Sequence, residues 1–61
     1  MENDVYIVSF VRRDNKPNED YYYTRRDAAE EHYDLFRSDD SNLYKQIDLK
    51  QNEIVIDTIT F

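Results

Sequence analysis

A chain that folds back on itself needs residues at positive φ in its tight turns, and glycine is the one residue that sits there without penalty. This 61-residue chain contains no glycine. Asparagine tolerates the left-handed region better than other residues with a Cβ, so Asn15, Asn18, Asn42 and Asn52 mark the expected left-handed positions. They punctuate the chain, and each stretch between them carries its own hydrophobic period.

Val5-Tyr6-Ile7-Val8-Ser9-Phe10-Val11 is dense in β-branched and aromatic residues, which predicts a largely buried strand over about 5–12. The polar run from Arg12 to Asp20, with Pro17 inside it, reads as a loop. A short strand follows over 21–24, with Tyr22 on one face and Tyr21 and Tyr23 on the other. Thr24 and Asp27 have capping-box spacing and open a helix predicted over 25–37. Leu35, Ala28, His32, Phe36, Ala29 and Tyr33 form its apolar arc, opposite Asp27, Glu30, Glu31 and Asp34.

A third strand is predicted over 43–49, with Leu43, Ile47 and Leu49 on one face and Tyr44, Gln46 and Asp48 on the other. A turn at 50–53 leads to a fourth strand over 54–61, apolar on both faces. The expectation is a single α+β domain over 1–61. It would be a ββαββ chain whose largely antiparallel four-stranded sheet carries the helix on one face. Numbered along the chain, the strands suit the order 2-1-3-4, and 2-1-4-3 is the alternative.

So short a chain buries only a small core. It has no cysteine for disulfides or thiolate metal sites, and His32 is its only histidine. Support from good packing or self-association is expected. The first residues lack the basic stretch of a secretory signal and no apolar run approaches a membrane span, so the expectation is a cytoplasmic protein outside the membrane.

Catalytic chemistry finds little to work with. A serine nucleophile would need His32 as its base, and His32 falls in the middle of the apolar arc. Phosphate-cradling loops need glycine. Asp39 and Asp40 are adjacent acids in a turn, without the spacing of a calcium loop. The expectation is therefore no enzyme, no catalytic or metal-binding residues and no cofactor. His32 is expected at the edge of the core, and a pH switch is its sharper reading.

Charge and tyrosine point to contacts instead. The net charge of −6 disfavours direct nucleic-acid binding. Residues 27 to 40 hold six acids and one base, a net −5. Glu30, Asp34, Asp39 and Asp40 are thus one candidate interaction surface, able to dock in a basic groove. Six tyrosines are many for this length. Tyr21, Tyr22, Tyr23 and Tyr44 form the second candidate, a sheet face suited to a protein partner or a second copy.

Taken with "VYIVSFV", "YYYTRRDAAEEHYDLF" and "SDDSNLYKQIDL", the whole-chain layout resembles short proteins of Gram-positive bacteria and their phages or mobile elements, a group that implies no activity. Residues 5 to 49, an acidic strand-strand-helix-strand run with tyrosines opening its second strand, are also similar to the small phage inhibitors of uracil-DNA glycosylase. That likeness leaves the fourth strand unexplained. Two functional expectations result: a non-enzymatic, self-associating protein-interaction module, probed as a homodimer, or an acidic DNA-mimic-like inhibitor of a nucleic-acid-binding protein.

Overall fold

The computed structural model describes residues 4–61. Five elements follow one another: β1 (Tyr6–Arg12), β2 (Glu19–Tyr23), α1 (Arg26–Leu35), β3 (Tyr44–Gln51) and β4 (Ile54–Thr60). The strands form one antiparallel sheet in the order β2-β1-β3-β4, so the fold is α+β and the first of the two expected orders is the one adopted. β1 is the most apolar strand and takes an inner position, where both of its edges are paired. Val8 lies opposite Tyr21 on one side and Leu49 on the other, and Phe10 lies opposite Glu19 and Ile47.

Those registers set the core. Val8 and Phe10 from β1, Ile47 and Leu49 from β3, and Ala29 and Tyr33 from α1 are all buried. Ala29 has only a methyl group, which lets the helix backbone approach the sheet closely. α1 rests on β1, β2 and β3, and its backbone does not come close to β4. The helix is therefore off-centre on its sheet.

The helix is shorter than the predicted 25–37. Arg25, with extended φ and ψ, stands at its N-cap with no side-chain cap, so the capping box expected from Thr24 is absent. Asp27 is occupied otherwise: it accepts from Arg25 at 2.7 and 3.1 Å and from the Ala28 amide at 3.0 Å. A charge-assisted pair outcompetes the weaker hydroxyl box. At the other end the Phe36 and Arg37 amides reach back three residues, to Tyr33 and Asp34, which tightens the chain and ends α1. Leu35 leaves the predicted arc and is 74% exposed. The helix is rolled toward Tyr33, whose ring removes more apolar area from water than a leucine would.

Three of the four expected left-handed residues are found there: Asn15, Asn42 and Asn52. The fourth such position is Glu53 (φ 73°) in place of Asn18. Asn52 and Glu53 both have positive φ and connect paired Gln51 and Ile54, the two-residue turn whose twist suits a hairpin. A second departure concerns β3. The β1–β3 register shifts between Val11 and Arg12, opposite Lys45, so Arg12 faces Tyr44. One extra residue reverses which face a side chain takes. Tyr44 thus joins the helix side, 4.9 Å from the Phe10 ring, and Leu43, expected inside, is outside the strand and exposed.

Candidate functional site

The tyrosines do not form an open-face surface. Tyr21 and Tyr23 alternate onto the helix side with Val8 and Tyr6, and the bulge brings Tyr44 there too. Phe10 is the hub of this cluster, with Phe36 at 4.9 Å, His32 at 5.3 Å and Tyr21 at 5.6 Å between ring centroids. The edge-to-face Phe36 contact and the tilted His32 contact hold the sheet to the helix and its C-terminal end. Tyr22 alone of these four stands on the opposite face, 67% exposed. The four tyrosines are thus divided between the two faces: Tyr23 and Tyr44 are half-buried against the core and Tyr21, 41% exposed, lies at its margin, because one helix on a small sheet recruits the nearest aromatics to seal its edges.

Polar ends of that cluster are tied down. Glu19 accepts from Arg12 at 2.8 Å, Tyr44 at 3.0 Å and Tyr21 at 3.3 Å, and the Arg12 bond is the main reason its carboxyl is held below the usual range. His32 Nδ1 lies 2.6 Å from the Tyr23 hydroxyl. Burial lowers the His32 pKa from its ordinary value.

The helix acids are interleaved with arginines. Arg25 pairs with Asp27 at 2.7 Å, Arg26 with Glu30 at 2.7 Å and Arg37 with Asp34 at 2.9 Å. Asp39 accepts from the Ser41 hydroxyl at 2.6 Å in the segment after the helix, and Asp40 is exposed there. Glu30 and Asp34 share one side of α1, whereas Asp39 and Asp40 lie beyond its end. Three of the six predicted acids are thus paired, whereas Glu31, Asp39 and Asp40 take part in no ion pair among the described residues, and Glu30 and Asp34 flank a groove.

That groove is the feature a reading of the sequence does not supply. Because α1 stops short of β4, a space of about 270 Å³ opens between them, lined by Tyr33, Leu49, Ile56 and Asp57 with Arg26, Glu30, Asp34 and Arg37 at its rim. The Tyr33 hydroxyl is buried and has no hydrogen-bond partner. Its pKa is pushed up to about 12, by burial first and then by the neighbouring Asp57 carboxylate, through its charge and a weak contact with the hydroxyl that falls short of a full hydrogen bond.

β4 itself is the second missed feature. Ile54 is 68% exposed and Val55 50%, and Ile56 and Phe61 are exposed as well. The Phe61 amide bonds to the Lys45 carbonyl, so alternation along the ladder turns the amides of Thr58 and Thr60 toward the unpaired edge. Among the described residues no strand pairs there. The other edge, β2, is defended by Glu19 and Asp20 and by Pro17 just before it, whereas β4 has only Asp57. A signal existed in the sequence: a strand apolar on both faces, in a fold with one helix to cover it.

The open sheet face holds a second hollow, about 390 Å³, over Ile7 and Ser9 with Asp20, Tyr22, Lys50 and Glu53 around it. Ser9 Oγ, buried at its base, has no partner. Among the described residues no three His, Asp or Glu side chains are grouped to hold a metal ion, and no helix is long and apolar enough to cross a membrane. Compared with known proteins, the chain matches no family model, no curated protein and no solved structure.

Proposed function

We propose that this protein is a non-enzymatic interaction module that takes up an additional strand at β4, and that β4 of a second copy is one such strand. The observation that carries this reading is the exposed apolar edge of β4, with the Thr60 amide turned outward and the Thr58 amide, also outward, held only by the adjacent Asp57 carboxylate, which an added strand would displace. Unpaired edge amides and carbonyls template a new strand. Each half-exposed Ile or Val covered there adds on the order of 1 kcal/mol from area removed from water. An antiparallel β4–β4 contact is self-complementary about a two-fold axis and closes on itself, which gives a dimer and no filament. It also enlarges the small core of each copy.

The test is the mass in solution by light scattering after size exclusion. The expected result is a dimer that dissociates on dilution. Thr60→Pro removes an outward amide without touching a bond to β3, and Val55→Lys places a charge on the edge. Both variants should be monomeric and folded. A wild-type monomer at millimolar concentration, or a dimer unchanged in both variants, would overturn self-association through β4.

A further inference from the structure

We propose that the groove between α1 and β4 binds the cationic head of a lysine or arginine side chain, carried on a strand docked at β4, with the Tyr33 hydroxyl and the Asp57 carboxylate as its hydrogen-bonding partners. The groove has three properties that together select such a group. Its buried Tyr33 hydroxyl makes no full hydrogen bond and has only a weak contact with Asp57, although a buried polar atom normally has a partner and is costly to leave without one. Its charges are unbalanced: Arg26 is paired with Glu30 and Arg37 with Asp34, while Asp57 takes part in no ion pair among the described residues and accepts only from the neighbouring Thr58 amide. One negative charge is left, beside a hydroxyl that can accept from a cation. Finally, Leu49 and Ile56 are the two aliphatic residues of an otherwise mostly polar lining, and a methylene stem can lie against them.

Geometry sets the length of the side chain. Asp57 and Ile59 project to the helix side of β4. A strand added at the free edge lies one strand spacing, about 4.8 Å, further out. Its helix-side residue must reach across β4 to meet Asp57 and Tyr33, which lysine and arginine can do and shorter side chains cannot. Main-chain pairing at the edge would supply affinity, and this groove would read one side chain of the partner. The inference rests on the edge reading only for the strand that carries the cation.

Small cations test the groove by itself. n-Butylammonium and n-butylguanidinium are titrated into uniformly ¹⁵N-labelled protein that also carries ¹³Cζ-labelled tyrosine, with n-butanol and butyrate as controls, in the wild type and in the edge-blocked Thr60→Pro variant. The expected result is saturable shifts largest at Tyr33, Ile56 and Asp57 for the two cations, at least fivefold weaker in Asp57→Asn and in Tyr33→Phe, and equal in Thr60→Pro. Tyr33→Phe keeps the ring, so its amide spectrum also reports whether the fold is intact. Shifts spread evenly over surface carboxylates, or unaltered by Asp57→Asn, overturn the site. The strand is tested with a threonine-valine hexapeptide bearing a central lysine, against the same peptide with norleucine. Binding at least tenfold tighter for lysine in the wild type, with no preference in Asp57→Asn, supports the full proposal. Cation binding without any peptide preference overturns the strand and retains the groove.

Discussion

Replacing Glu53 by glycine should stabilise the protein, whereas replacing its neighbour Asn52 by glycine should destabilise it, although both residues have positive φ. Glu53 has a Cβ in the left-handed region, which costs about 1–2 kcal/mol. Glycine removes that cost and returns about 0.5–1 kcal/mol as extra freedom of the unfolded chain. The net gain is about 0.5–1 kcal/mol. For 61 residues the unfolding entropy is about 130 cal/mol/K, so Tm should rise by about 4–8 °C. Asn52 differs because its side chain is engaged: Oδ1 accepts from the Val5 amide at 2.9 Å, and Nδ2 donates to Asp4 at 2.8 Å. Losing both exposed bonds costs about 1 kcal/mol, and Tm should fall by about 8 °C. Thermal unfolding followed by circular dichroism reads both variants, with Glu53→Gln as the control for charge. A lowered Tm in Glu53→Gly, or a gain in Glu53→Gln of the same size, would refute backbone strain as the reason.

Two further expectations concern the core. Because burial lowers the His32 pKa from its ordinary 6.5, the folded state binds the proton more weakly than the unfolded one. Its contribution is fully present above pH 6.5 and is lost as pH falls below that value toward the lower folded pKa. Urea midpoints between pH 7.5 and 5 should therefore decline in the wild type and stay flatter in His32→Leu; identical profiles would remove His32 as the cause. Leu35→Lys should change stability by no more than about 0.5 kcal/mol, whereas Ile47→Ala, at a fully buried position, should cost about 2–5 kcal/mol in the same urea assay.

The element order was legible because it rests on period and connectivity, whereas the sheet order was narrowed only to two, since β4 is also apolar enough for an inner position. Alternation separates strands from the helix, and β1 is too apolar to lie at an edge. What escaped the sequence was set by single-residue geometry and by packing between distant segments. The shift opposite Lys45 has no marker in "LYKQI", yet it moves Tyr44 to the other face. The roll of α1 that exposes Leu35 depends on what Tyr33 finds on the sheet, which no helical projection contains. Glu53 took a left-handed position that composition assigned to Asn18, because a two-residue turn requires both of its residues at positive φ. Charge counting likewise saw six acids and could not see that Arg25 and Arg26, both just before the counted span, fold back onto Asp27 and Glu30. For these reasons the tyrosines are divided between two faces and half of the acids are paired. The edge and the groove emerged from where the helix stops.

All six residues of the buried core belong to β1, β3 and α1, and β4 adds only the half-buried Ile59 against it. Stability is accordingly layered. β4 can lift from β3 while the central sheet and helix remain assembled, so its amides exchange with solvent through a local opening that requires less free energy than global unfolding. A docked strand would close that opening, and occupancy of the edge would then be recorded as slowed exchange at Ile59 and Phe61, whose amides face inward. The outermost strand is in this sense the protein's most responsive segment, one whose order depends on its company.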